Sequence, residues 1–363
     1  MSDPSRSRPG LIVYSTQPYN AEPSLDRLVA SFVTPVADFY VRSHGDIPAL
    51  DEAGHRVRVG GRVATPRELS TAELRERFPR RTVQAVMQCA GNRRADLHRV
   101  RPVSGDPWAG GAIGNAAWTG APLAAVLEAA GAERSPGLHV AFAACDECEA
   151  DGATFRYGAS IPLAKALSPE VLLAYEMNGE PLTPEHGFPL RVVVPGYAGC
   201  RSPKWLAGIE VRDGPSDNPM QAKEYKLFPP DVTERTADWD LGLTIDEMPL
   251  NAAICSPADG STLPPGAAAV RGWAVSSGRA VARVDLSADG GRTWHQAELE
   301  RDGDAPWSWV FWRATLDLPA GEHELAVRAW DSAGQTQPAR AEDVWNFKGY
   351  LSAAWHRVRM RVG

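Results

Sequence analysis

Three stretches of the chain gather side chains able to do chemistry. Gln88-Cys89-Ala90-Gly91-Asn92-Arg93-Arg94 sets a thiol at the end of an apolar run and beside two cations. Neighbouring cations lower a thiol's pKa, so the pattern predicts a thiolate. A thiolate is a nucleophile and also a soft ligand for transition metals. Residue types alone leave three roles open for Cys89: nucleophile, metal ligand or buried structural thiol. The stretch from His186 to Trp205 flanks an apolar run, Leu190–Pro195, with His186, Arg191, Arg201, Lys204 and several glycines. Glycines let backbone N–H groups approach a ligand, and Arg and Lys bind phosphate, so an anionic cofactor tail is the expected ligand. Phe39–Gly45 (FYVRSHG) adds Arg42 and His44 beside a glycine. Cys145-Asp-Glu-Cys148 has the spacing of half a zinc site, but no second CxxC or HxxxH completes it, and two ordinary thiols are expected there.

These groups need elements to hold them. Thr82–Met87, Leu138–Ala144 and Leu190–Pro195 read as strands, the last continuous and therefore buried. Thr71–Phe78 reads as an amphipathic helix capped by Ser70 or Thr71, and Leu123–Ala130 as a helix stopped by Gly131. Residues 1 to about 30, rich in Pro, Ser and Arg, read as an arm over the surface, and 213–250 as an irregular crossing segment. Beyond residue 251 the texture changes to short alternating strands: Val270–Ala274, Val281–Ala288, Trp294–Glu298, Trp307–Leu316 and Glu322–Asp331. Ser-Gly, Asp-Gly-Gly and Ala-Gly turns separate them, the pattern of an antiparallel sandwich of immunoglobulin-like size. The expected architecture is an α+β domain followed by an all-β domain.

The chain has 363 residues, which agrees with two domains, and its 44% apolar and 23% charged residues are an ordinary globular mix. Thirty-eight Lys and Arg against 45 Asp and Glu leave a net charge of −7, which argues against nucleic acid as a partner. Five cysteines do not build a disulfide framework. The N-terminus lacks the apolar core of a secretory signal, and no run approaches the ~18–20 apolar residues of a bilayer span. No membrane partner is expected; the expected location is the cytoplasm, or the periplasm if a signal was removed.

Taken together, FYVRSHG, QCAGNRR, WAGGAIGNAAWTGAPL, YGASIPL, HGFPLRVVVPGYAGCRSPKWL and GYLSAAWHRVRMRV resemble the sulfite oxidase family of molybdenum enzymes, in the family's motif order from Phe39 to the C-terminus. The resemblance implies an N-terminal arm (1–38), an α+β molybdopterin-binding domain (39–245) and an immunoglobulin-like dimerisation domain (246–363). Val284–Trp294 resembles that last domain's characteristic hairpin. It implies Cys89 as the molybdenum ligand. It implies pterin and phosphate contacts from Tyr40, Val41, Arg42, Ser43, His44, Asp146, His186, Arg191, Ser202, Pro203 and Lys204. Sulfite recognition would fall to Arg42 and Arg94 with Trp108, and Tyr225 would lie near the metal.

The family also places an arginine of the C-terminal domain in this pocket, and the Arg301–Arg313 region does not align to show which. Ser43 and Ser104 stand where eukaryotic members carry Asn and Lys, which leaves the pocket less cationic or less hydrogen-bonded. The implied reaction is two-electron oxidation of sulfite to sulfate. With no haem domain expected in this chain, a separate acceptor such as cytochrome c or oxygen would take the electrons. A homodimer is implied. The alternatives are a nitrate- or sulfoxide-reducing relative and a cofactor-free binding protein of the same fold.

Overall fold

A computed structural model of the chain describes residues 10–150 and 152–363. Strands dominate, and the longest α-helices, Thr71–Arg77, Arg94–Val100 and Leu123–Ala129, have seven residues each. Among the described residues no helix is long and apolar enough to cross a membrane. Thr71–Arg77 forms where its cap demands it. Ser70 Oγ accepts the Glu73 N–H, and the Glu73 carboxylate accepts the Ser70 N–H, so two otherwise orphaned donors are satisfied reciprocally.

The first half of the chain builds two five-stranded sheets. In one, Arg81–Gln88 pairs with Ile113–Pro122, which pairs with Leu172–Met177; Arg191–Val193 joins the far side of that last strand. In the other, Val57–Gly61 and Leu138–Ala150 flank Leu206–Asp213, and Ala153–Pro162 closes the edge. A core of Leu, Val, Ile and Phe fills the space against the Leu123–Ala129 helix, with Val126, Leu127, Val192 and Ile161 fully buried. The strand expected at Leu138–Ala144 runs on to Ala150. Cys145 and Cys148 therefore lie in a strand, with Cys148 buried and Cys145 half-buried.

The C-terminal part packs a four-stranded sheet (Asn251–Ser256, Gly266–Val275, Val310–Leu318, Glu298–Glu300) against a five-stranded one. The second sheet holds Thr262–Leu263, His356–Val362, Gly321–Asp331, Val281–Ser287 and His295–Gln296. Trp309, Trp312 and Trp345 are buried, whereas Trp307, Trp330 and Trp355 are half-buried. Trp307 ties the two parts together, its carbonyl accepting the Val86 N–H at 2.9 Å.

The expected arm of residues 1 to about 30 lies outside the described residues over 1–9, and from Leu11 on it is not a surface arm. Leu11–Thr16 and Tyr19–Pro23 form a hairpin whose second strand is buried throughout. Leu28 and Val29 enter a core shared with Ala253, Cys255 and Trp273 of the sandwich. Burying these apolar groups is what holds a segment rich in turn-formers in place.

Candidate active site

Cys89 follows the strand Arg81–Gln88, and every residue of that strand is paired with Ile113–Pro122. The chain then turns tightly: the Asn92 N–H donates to Cys89 O at 3.0 Å and the Arg94 N–H to Gly91 O at 3.0 Å. Arg93 takes the left-handed conformation (φ 62°) at the N-cap of the helix that begins with Arg94. The Asn92 side chain accepts the Ala112 N–H at 3.0 Å, which locks this turn to the neighbouring strand. Cys89 Sγ accepts the Gly91 N–H at 3.4 Å and lines a cleft.

That cleft is partly open to solvent. Tyr40, Arg42, Ser43, His44, Cys89, Asp146, His186, Arg191, Ser202, Pro203, Lys204 and Tyr225 all line it. Twelve residues expected from separate motifs thus share one wall system. Gly45 shows why FYVRSHG ends as it does, since a Cβ there would sit 1.6 Å from Glu147 O. The Phe39–Gly45 loop can reach the cleft only by lying directly on that strand.

Three expected residues are placed differently. Val41 faces away, its backbone bridging to Ala21 and its side chain packed with Tyr19 and Ala21. Trp108 is fully buried outside the cleft, edge-on to Tyr14 with ring centroids 5.1 Å apart. It packs in one apolar cluster with Cys89, Tyr40 and Met87, and its carbonyl accepts the Ala95 N–H at 3.1 Å. Arg94 does not line the cleft but lies against the Cys89 turn: a Cβ on Gly91 would meet its guanidinium at 2.6 Å. Arg94 Nε donates to Gly349 O at 3.3 Å, and one terminal nitrogen donates to Asp106 O at 2.9 Å.

The sequence reading missed Tyr157, Tyr350 and Cys200. Tyr157 and Cys200 line the cleft, and Tyr350 stacks on Tyr225 at 5.2 Å and on the Arg94 guanidinium at 5.3 Å. From the C-terminal part, Gly349 and Tyr350 touch Arg94 and Tyr225, while Arg301 and Arg313 are engaged elsewhere. Arg301 is spent on Val281 O and Arg313 on Glu298, whereas Lys348 pairs with Glu224 at 2.8 Å beside Tyr225. The GYLSAAW motif marked this segment but carried no indication of what it touches.

The electrostatics of the cleft are those of an unmet anion site. Burial, then Arg42 and Lys204, push the His44 pKa well down. Burial, aided by Arg191 and Arg42, drives Lys204 far below the usual lysine range against the pull of Asp146. Arg191 falls to about 10 through burial. Charged forms held this unfavourably among like charges demand a negative ligand. Of the two acidic residues that line the cleft, Asp146 and Glu185, Asp146 is itself raised by burial, and its Oδ1 is buried with no hydrogen-bond partner among the described residues.

The expected thiolate is not what the free cleft favours. Burial pushes Cys89 up and outweighs the downward pull of Arg42 and Arg94. The sequence shows the cations but not the depth; a bound cation is what makes such a thiol ionise. Burial likewise raises Tyr225, whose hydroxyl lies 2.6 Å from His44 Nε2. Among the described residues, the cleft included, no group of three His, Cys, Asp or Glu side chains could hold a metal ion. Cys148 only approaches Asp146, at 3.7 Å. A soft sulfur donor, a ring of cations and an orphaned carboxylate oxygen fit a metal carried on an anionic organic cofactor.

Comparisons with known proteins agree with this chemistry. Residues 44–220 match the model of the oxidoreductase molybdopterin-binding domain, and residues 243–363 that of the Mo-co oxidoreductase dimerisation domain. Sulfite oxidase of Gallus gallus is 46% identical over 98% of this chain and 78% of that protein. Sulfite oxidase of Arabidopsis thaliana is 43% identical over 98% of this chain and 95% of its own length. Among solved structures, the sulfane dehydrogenase SoxCD of Paracoccus pantotrophus superposes with a TM-score of 0.79 at 25% identity, over 95% of this chain and 85% of that one. An inducible nitrate reductase of Glycine max is more distant, at 36% identity over 41% of its length. The chain belongs to the sulfite oxidase family of molybdopterin oxidoreductases.

Proposed function

We propose that this chain oxidises sulfite to sulfate, passing two electrons to a separate acceptor such as cytochrome c or oxygen. The observation that supports it most is the pair Arg42 and Arg94 beside Cys89. Both guanidiniums are anchored on one side: Arg42 donates to Asn20 Oδ1 at 3.4 Å and to Ser43 O, and Arg94 to Asp106 O and Gly349 O. Each keeps N–H groups with no hydrogen-bond partner among the described residues. Preorganised donors of this kind stabilise charge that builds on an oxyanion.

Molybdenum–molybdopterin, once bound, supplies the two-electron redox chemistry. Cys89 is the residue to ligate the metal. Lys204 holds Ser43 Oγ and Glu185 O, both at 2.9 Å, and keeps its third N–H for the cofactor's phosphate. Arg191 does a different task from Lys204. Its nitrogens already donate to His186 O, Ser202 O and Val192 O, so it ties the walls together and contributes charge rather than a free fork. Asp146, Tyr40, Ser43, His44, His186, Ser202 and Pro203 complete the cofactor's surroundings. Tyr225, kept neutral by burial and paired with neutral His44, holds its proton at Oη within the substrate side of the cleft.

Residues 39–245 are the cofactor-holding unit and 246–363 the dimerising unit on this reading. Steady-state turnover of the molybdenum-loaded protein with sulfite, using cytochrome c, ferricyanide and oxygen in turn, tests the proposal. Nitrate reduced faster than sulfite is oxidised would overturn it.

A further inference from the structure

One strand of the N-terminal hairpin bonds Arg42 directly and clamps the loop whose Asp106 carbonyl holds Arg94. Tyr19–Pro23 is buried along its length and its Ala21 bridges Val41 through hydrogen bonds of 3.0 and 2.8 Å. Residues two apart on a strand share a face, so Asn20 and Glu22 work side by side. Asn20 Oδ1 accepts the Ser43 N–H at 2.8 Å and an Arg42 N–H at 3.4 Å. Glu22 Oε1 accepts the Tyr14 hydroxyl at 2.5 Å and the Ala109 N–H at 2.6 Å, and Oε2 accepts the Gly111 N–H at 2.8 Å. The segment so clamped is the one whose Asp106 carbonyl fixes Arg94 and whose Trp108 carbonyl takes the Ala95 N–H. The loop rests directly on the strand, since a Cβ on Gly111 would lie 2.2 Å from Pro23 O.

Glu22 is fully buried, and its partners are a hydroxyl and backbone amides rather than a Lys or Arg. Burying a carboxylate is expensive, and an apolar hairpin would pack as well. What a carboxylate adds is the ability to hold two backbone N–H groups of one loop at a fixed separation. We propose that Asn20 and Glu22 are positioning residues, setting the distance between the Arg42 and Arg94 guanidiniums at which the substrate anion is received. This rests on the reading of those arginines as the sulfite contacts.

The test uses holoenzyme variants Glu22→Gln, Asn20→Ala and Asn20→Asp, with Arg94→Met alongside. Glutamine presents a donor to a backbone N–H where Glu22 accepts, so amide hydrogen exchange of the 105–112 segment should speed up. The KM for sulfite should then rise about fivefold or more while kcat stays within about twofold, the signature of lost uniform binding after one misplaced hydrogen bond. Asn20→Ala should raise KM similarly. Asn20→Asp keeps the acceptor for both Ser43 and Arg42 and should restore KM. Unchanged exchange in Glu22→Gln, or faster exchange with an unchanged KM, would overturn the proposal. If Glu22→Gln fails to fold, the Asn20 pair decides: equal KM values for Ala and Asp overturn it. Arg94→Met reports separately on the underlying reading, because an unmoved KM there places sulfite elsewhere, whatever the loop exchange shows.

Discussion

Arg94→Met separates substrate recognition from cofactor binding. The guanidinium is spread over three tasks: Nε to Gly349 O, one terminal nitrogen to Asp106 O, and a second terminal nitrogen with no hydrogen-bond partner among the described residues. A charge-assisted hydrogen bond to an oxyanion contributes about 1.5–3 kcal/mol, so methionine should lower kcat/KM for sulfite roughly ten- to 150-fold. Two neutral carbonyls also lose their donors, at about 1 kcal/mol each, which should lower the melting temperature by a few degrees. Molybdenum content should stay near that of the parent, since none of the cofactor contacts proposed above involves Arg94. Arg94→Lys should recover part of the loss only, because a single ammonium cannot reach both carbonyls and the substrate as a planar fork does. The assay is steady-state sulfite oxidation normalised to bound molybdenum by elemental analysis. An unchanged kcat/KM per metal would make Arg94 a purely structural cross-link and refute the reasoning.

Cys89→Ser should fold and keep its pterin, read by fluorescence of the released cofactor, while sulfite turnover per bound molybdenum falls to near zero. Serine is a hard ligand that keeps its proton near neutral pH, and parent-level turnover per metal would sink the ligand assignment. Lys204→Met should raise the thermal stability of the apoprotein, because a buried ammonium among like charges is removed, and at the same time weaken cofactor retention; retention equal to the parent's would contradict the phosphate role. The chain should scatter light as a dimer at micromolar concentration, and a monomer there would defeat the dimerising role of residues 246–363. Buried His356 accepts the Ile254 N–H at Nδ1, and burial lowers its pKa to about 4. The unfolded chain then binds a proton that the folded one refuses, so stability should fall as pH drops from about 6.5 to about 4, by up to about 3 kcal/mol. His356→Gln keeps an acceptor without the proton and should flatten that slope in denaturant titrations.

Local elements were legible wherever the pattern and the cap agreed. Thr71–Arg77 announces itself by its capping box, and Leu123–Ala129 by an apolar face ending at a glycine. The strand Asn251–Ser256 carries no alternation because it is buried along nearly its whole length, so its sequence has no polar face to reveal it. His356–Val362 alternates plainly, with Val358, Met360 and Val362 inward. The hairpin at Leu11–Pro23 hid behind turn-formers. Its stability comes from distant partners such as the Ala109 and Gly111 amides, which no local rule exposes.

The site's chemistry was legible as a set of residue types and their clustering, but not as a division of labour. Arginine looks the same in sequence whether its donors are taken or open. The fold sorts the cations by that property and by where the open donors lie. Arg93 is consumed by Asp96, Asn251 and Ala252 O, and Arg201 is tied to Ile245 O and Asp246. Arg191 reaches the cleft wall with its donors already committed to carbonyls. Arg42, Arg94 and Lys204 keep N–H groups open beside Cys89, whereas the one unpartnered terminal nitrogen of Arg201 is sealed in the interior. Depth is the second quantity that sequence withholds, and it reverses the prediction for Cys89 by lifting a thiol that its neighbours would otherwise ionise. Both quantities are set by long-range packing: the carbonyl that orients Arg94 belongs to Gly349, 255 positions away along the chain. The recognition residues proposed for this protein are therefore those whose open donors lie beside Cys89, since the unpartnered nitrogen of Arg201 shows that incomplete hydrogen bonding alone does not mark them.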